Sequence, residues 1–263
     1  MSLVFAAITP HPPLLIPSIG KEHSKKISKT KQALEKLEED LYLTHPEIIL
    51  IISPHGHLFN DAFSINVCPE FETHLREFGD LTTKLKFKGE IQLATAIRQC
   101  GKDEGLPVTL ISEPNLDYGA AVPLYYLARH LPKTSILPVG FCNLGWKTHL
   151  DFGYLLKEQI MNTTKRVAVI ASGDLSRALA TDSPAGFNPA GKEFDQKIQE
   201  LLATGNTSGL LQLKPELVAA AAECGFRSFL ILLGILRGVN FNYKSYNYES
   251  SLGVGYLTAN FVL

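Results

Sequence analysis

Residues 48–57 read IILIISPHGH, an unbroken apolar run rich in isoleucine that ends on Ser53, Pro54 and His55. A run this short and this β-branched, stopped by proline, reads as a strand buried on both faces, the type found in a parallel sheet covered by helices. The N-terminus repeats the design, because LVFAAITPH over residues 3–11 places His11 just beyond a first candidate strand. In open α/β sheets ligands gather in the crevice outside the carboxyl ends of the strands. Two parallel neighbours ending in histidine therefore aim two imidazoles at one point. Pro10, Pro12 and Pro54 flank these histidines and stiffen their loops.

Working outward, short apolar runs alternate with longer amphipathic segments along the whole chain, the pattern of an α/β domain. Candidate strands cover 3–8, 47–53, 63–68, 108–112, 135–139, 167–171, 243–248 and 255–261. Candidate helices cover 22–43, 90–101, 120–130, 147–160, 189–203, 215–222 and 227–236. In the helix from Pro189, Phe194, Ile198, Leu201 and Leu202 share one face, and the proline sits in the first turn, where its missing N–H is harmless. The expected fold is one α/β domain over residues 1–263. It has a mixed, mostly parallel central sheet, helices on both faces and an antiparallel C-terminal strand pair. No internal repeat or linker divides the chain.

Composition narrows the function. The chain has 263 residues, 45% of them hydrophobic and 19% charged, enough for a sizeable core and low enough in charge to leave room for a homodimer interface. Lys and Arg number 25 against 26 Asp and Glu, so no basic excess exists to neutralise a nucleic acid or an anionic membrane. The basic cluster from Lys21 to Lys31 lies on a stretch with apolar residues at helical spacing and reads as a solvated helix face. Cys68, Cys100, Cys142 and Cys224 show no paired spacing, which argues against disulfides and a zinc knuckle. The apolar N-terminus lacks a positive leading segment and is broken by prolines, so neither a signal peptide nor a membrane helix is expected, and the cytoplasm is the default compartment.

A lone loop histidine most often only bonds backbone; here the repetition of the strand-end design favours a metal. His57 follows His55 closely and competes with it as a ligand, though on a turn it reads better as pointing elsewhere. His23, His45, His74, His130 and His149 lie in helical or polar contexts and read as ordinary side chains. Two imidazoles are usually completed at a non-haem Fe(II) site by one carboxylate, leaving positions open for substrate and dioxygen. AAAECGFRSFLILLGIL offers Glu223 and Cys224 before a strongly apolar helix, where an acidic residue is either a helix-start charge or a ligand. AVIASGDLSR places Asp174 at a third strand end. There it either caps a turn or orients a metal-bound histidine.

These residues resemble a family, the class III extradiol ring-cleavage dioxygenases in their B-type catalytic domain, with its AmmeMemoRadiSam and MEMO-like relatives. The resemblance runs in order through ITPHPPLLIPSIG, ISPHGHLF, LDYGAAVPLYYL, ASGDLSRAL, PAGFNPAGKEFD and ECGFRSFLILLG, nearly the whole chain. It implies Fe(II), or Zn(II) or Cu(II), held by His11 and His55 with a third ligand from the ECG segment. Ring-cleaving members use a glutamate there, which puts Glu223 first; MEMO-like members have a cysteine matching Cys224. The family usually carries histidine where this chain has Tyr118 and Arg177, at positions beside the metal. In ring cleavage a catechol chelates the metal and one such histidine moves its proton. Arginine stays protonated at any working pH and cannot be that base. It can pair with a substrate carboxylate or phosphate, while Tyr118 can donate a hydrogen bond. The resemblance thus implies a metal-dependent dioxygenase acting with O2 on a catechol-like small molecule, with Arg177, Tyr118 and Asp174 as the residues beside the chemistry. Its rivals are a MEMO-like protein that binds metal or peptide without catalysis and a zinc-dependent hydrolase.

Overall fold

The computed structural model describes residues 2–263. Its main sheet is built from β1 (Leu3–Thr9), β2 (Ile48–Ser53), β3 (Phe63–Asn66), β6 (Val108–Ile111), β8 (Ser135–Gly140), β9 (Val167–Ser172), β10 (Asn242–Glu249) and β11 (Tyr256–Val262). These eight strands lie in the order β10-β11-β1-β9-β2-β8-β3-β6. The four central strands, β1, β9, β2 and β8, run parallel. β11 pairs antiparallel with β1 and with β10, and β3 pairs antiparallel with β8 and parallel with β6. The expected mixed sheet with an antiparallel C-terminal pair is therefore present.

The apolar runs explain the two layers. In β2 the side chains of Ile48, Leu50 and Ile52 join one core and those of Ile49 and Ile51 the other, as strict alternation requires. The first face is covered by α3 (Gln92–Glu104), α5 (Trp146–Asn162), α6 (Pro189–Ala203) and α9 (Phe226–Ile235). The second is covered by α2 (Ser28–Leu43) and α4 (Tyr118–Leu127). Short helices α1 (Pro17–Gly20), α7 (Thr207–Leu211) and α8 (Pro215–Ala221) complete the connections. No helix among the described residues is long and apolar enough to cross a membrane.

Four differences from the sequence reading bear on the site. β1 and β2 are not neighbours, because β9 lies between them, so three parallel strands end side by side. α4 starts at Tyr118, before the expected residue 120, because Asp117 caps it by accepting from the Ala120 N–H at 3.1 Å. The helix expected over 22–43 opens as a 3₁₀ segment, Lys21–Ile27, and becomes α-helical only from Ser28. A second sheet of β4 (Glu70–Thr73), β5 (Lys86–Lys88) and β7 (Asn115–Leu116) was not foreseen, since its strands are short and mostly polar.

Candidate metal centre

His11 follows β1, His55 follows β2, and Ser172 and Asp174 close β9, so the three strand ends deliver their side chains to one place. The fourth contribution comes from the turn between α8 and α9. Ala222 ends α8 in the left-handed region, at φ 51° and ψ 36°, and turns the chain back toward β9. Close approach there depends on two glycines. A Cβ on Gly173 would lie 2.1 Å from the Gly225 Cα, so only glycine lets the ASGD and ECGF backbones touch. Their contact is sealed by N–H groups of Cys224 and Gly225 donating to the Asp174 carbonyl at 3.3 and 3.1 Å.

The structure brings His11, His55 and Cys224 together. The Nε2 atoms of the two histidines are 3.1 Å apart, and Cys224 Sγ is 3.5 Å from His11 Nε2. One donor atom from each residue lies within 4.8 Å of the others. Two imidazole nitrogens sharing a first-row metal at about 2.0–2.1 Å stand roughly 2.9–3.4 Å apart, and a thiolate at about 2.3 Å stands roughly 3.1–3.6 Å from them. The His11–His55 and His11–Cys224 spacings fall inside these ranges, and the remaining Cys224–His55 pair lies within 4.8 Å, so the donor set centred on His11 suits a metal ion.

The electrostatics suit the same purpose. Burial, and then the Arg177 charge, pull His11 from 6.5 to about 3. Burial, followed by His11, lowers His55 to about 3 as well. Both rings are neutral at physiological pH, the form that ligates metal. Cys224 is held well above its ordinary value, first by burial and then by the Asp174 charge, while the Asp174 N–H donates to its sulfur at 3.4 Å.

The other expected residues are distributed around this group. Tyr118, in the first turn of α4, stacks on His55 with ring centres 4.3 Å apart, and its hydroxyl is 2.9 Å from His55 Nε2. Burial pushes its phenol up to about 12, so it stays protonated. Asp174 accepts the His11 backbone N–H at 3.1 Å and has its other carboxylate oxygen 3.7 Å from His11 Nε2. Burial lifts its pKa to about 6. Arg177 is half-buried; it lowers both histidines, and no acidic side chain among the described residues pairs with it.

Glu223, expected ahead of Cys224, is not brought into the group. Its carboxylate turns to the start of α9 and accepts the Phe226 N–H at 2.5 Å, next to Arg227, and burial raises its pKa to about 7. His57 is exposed and edge-on to Phe59. With His55, His74 and Asp117 it lines a cavity of about 460 Å³. A larger cavity of about 830 Å³, between β4, β5 and α4, contains none of these side chains.

Sequence reasoning missed four polar residues, Ser53, Asp117, Ser172 and Asp195. Ser53 donates to the Asp117 carboxylate, joining the end of β2 to the cap of α4. Ser172 is 2.9 Å from His11 Nδ1, so the ring is oriented from β9 by a serine rather than by Asp174, for which orienting a histidine was one of two readings. Asp195 on α6 accepts the Ser176 N–H at 2.8 Å and the Tyr248 hydroxyl at 2.7 Å, which braces the loop carrying Asp174 and Arg177. The available signal was serine as the last residue of two buried strands, in IILIIS and VAVIAS.

A mixed sheet whose central parallel strands bring a histidine pair to their carboxyl edge, beside a third soft donor, is an α/β fold carrying a candidate metal centre. The family model for the catalytic LigB subunit of aromatic ring-opening dioxygenase matches residues 5–259, and the chain belongs to that family. It is 31% identical to Protein CA_C1420 of Clostridium acetobutylicum over 97% of its length, but spans only 57% of that relative. It is 21% identical to the 2-aminophenol 1,6-dioxygenase beta subunit of a Pseudomonas species, over 96% of this chain and 92% of the relative. Among solved structures, the uncharacterized protein JW3007 of Escherichia coli K12 shares the fold with a TM-score of 0.64 at 16% identity. It covers 98% of this chain and 99% of its own.

Proposed function

We propose that this chain is a metal-dependent dioxygenase of the extradiol type, holding Fe(II) through His11, His55 and Cys224. Its substrate is a small aromatic compound with adjacent hydroxyl or amino groups. The observation that carries the reading is the convergence of two neutral imidazoles and one thiol, their donor atoms within 4.8 Å of one another, next to Asp174 and Arg177. The relative named as a 2-aminophenol 1,6-dioxygenase beta subunit supports the substrate class and an oligomeric assembly. Zn(II) and Cu(II) also suit a set of two imidazoles and a thiolate. When bound, the metal supplies Lewis acidity and, if it is iron, redox chemistry toward O2.

The side chains supply the proton chemistry. Asp174, with its pKa near 6, accepts a substrate O–H proton close to neutrality, the task for which Arg177 is unfit. Arg177 stays cationic and stabilises the oxyanion left behind. Tyr118 keeps its proton and holds its hydroxyl 2.9 Å from His55 Nε2, where it can donate a hydrogen bond. A second reading, a metal-binding protein without ring cleavage, is favoured by the thiol donor, since the usual open iron site carries a carboxylate.

The test loads the purified protein anaerobically with Fe(II) and follows O2 uptake and ring-opened products on catechols and 2-aminophenols. Turnover rising through about pH 6, and losing that limb in Asp174→Asn, is the expected result. Tight Fe(II) binding with no product from any substrate would leave the non-catalytic reading. No binding of Fe(II), Zn(II) or Cu(II) would remove both.

A further inference from the structure

The carbonyl of Gly119 sits in the first turn of α4, where its regular partner is the backbone N–H four residues on. That residue is Pro123, inside the helix, which has no N–H to give. The orphaned carbonyl is satisfied from outside the helix. Ser172, fully buried at the end of β9, donates its hydroxyl proton to the Gly119 oxygen at 2.5 Å. Two oxygens at that separation repel unless a proton lies between them, and a carbonyl can only accept. The single Ser172 proton is therefore committed.

The consequence falls on His11. Its Nδ1 is 2.9 Å from the same Ser172 oxygen, which, having given its proton away, can only accept. Nδ1 must carry the hydrogen, and the neutral ring then presents a bare lone pair at Nε2. That is the atom facing His55 and Cys224. Ser172 is held in register by pairing with Thr9, two residues before His11, so strand pairing itself sets this chain of contacts.

We infer that Ser172 is a positioning residue: the relay from His11 Nδ1–H through Ser172 to the Gly119 carbonyl freed by Pro123 locks His11 in the tautomer that offers Nε2 to a cation. The relay also ties this ligand to the helix turn that carries Tyr118, so both sides of the centre share one brace. Its effect on affinity rests on the metal reading above; its effect on the tautomer does not.

The experiment is nitrogen-15 NMR of the histidine rings in the metal-free wild type, followed by Ser172→Ala. In the wild type His11 is expected as a single Nδ1–H tautomer. In Ser172→Ala it becomes a mixture, and the affinity for Zn(II), read by competition with a chromophoric chelator, falls about 10–100-fold, the usual cost of losing such a partner. A wild-type His11 protonated at Nε2 overturns the inference, even if the alanine variant does not fold. So does an unchanged tautomer and affinity in Ser172→Ala. A wild type that shows the Nδ1–H tautomer but binds no metal removes the metal reading and leaves the relay standing.

Discussion

Metal uptake by this centre is expected to release one proton near neutral pH, and the source of that proton identifies the third donor. His11 and His55, each lowered to about 3, are neutral well before pH 6.5 and release nothing. Cys224 keeps its proton across the same range, because burial and the Asp174 charge disfavour its thiolate, and it must lose that proton to bind metal. Raising the pH removes the competing protons, so affinity rises with pH. The slope is about tenfold per unit, about 1.4 kcal/mol. From roughly pH 6.5 to 8.5 the dissociation constant should fall about a hundredfold. A glutamate donor predicts something else, since Glu223 titrates at about 7 and its slope would flatten above that value. The assay is Zn(II) or Fe(II) competition against a chelator of known pH dependence, with protons counted by calorimetry in buffers of different ionisation enthalpy. Cys224→Ala should weaken binding and abolish the slope, whereas Glu223→Gln should keep it. Affinity independent of pH, or a slope that survives in Cys224→Ala, would refute the reasoning.

Two further perturbations follow from single contacts. Tyr118→Phe keeps the ring stacked on His55 but removes the hydroxyl that occupies its Nε2. With about 0.5–1.5 kcal/mol no longer lost on metal entry, affinity should rise roughly 2–10-fold, while turnover falls; weaker metal binding in this variant would contradict the arrangement. Asp195, raised from 3.8 to about 6 chiefly by burial, holds more protons folded than unfolded, so its contribution to stability is full below about pH 4 and lost as pH rises through about 6. Urea titrations at pH 4 and pH 7 should show Asp195→Asn losing less stability over that interval than the parent, by at most about 3 kcal/mol; parallel losses would rule the carboxyl out as the cause.

The parts legible in the sequence are those where local pattern and position coincide. An isoleucine-rich run stopped by Pro-His announced both a buried strand and a side chain at its carboxyl end, and the sheet delivers His11 and His55 to one point. Strand order was not legible. β9 comes between β1 and β2 through a crossover that no local pattern encodes, and with it comes Ser172. The choice between Glu223 and Cys224 was beyond reach for a related reason. Adjacent residues after a helix can face opposite ways, and here the outcome hangs on Ala222 in a left-handed turn and on a glycine–glycine contact with the distant end of β9. Spacing alone cannot report a turn that tertiary contact imposes.

On the proposed dioxygenase reading, charge balance links Arg177 to the placement of Cys224. A divalent metal with one thiolate carries a single net positive charge. Ionised Asp174 offsets the Arg177 guanidinium, so the surroundings add nothing to it. A partly buried centre of this kind is best matched by a ligand with one negative charge, because uncompensated charge is costly away from water. An aromatic diol that has lost one proton supplies that charge. If its second proton passes to Asp174, the dianion is matched again, because neutral Asp174 leaves Arg177 unopposed and the total remains zero. A glutamate in addition to Cys224 would break this equality, and the structure occupies Glu223 with the start of α9 instead. On the proposed dioxygenase reading, Arg177 is then the fixed countercharge that would let a nearby carboxyl of pKa about 6 carry the proton transfer.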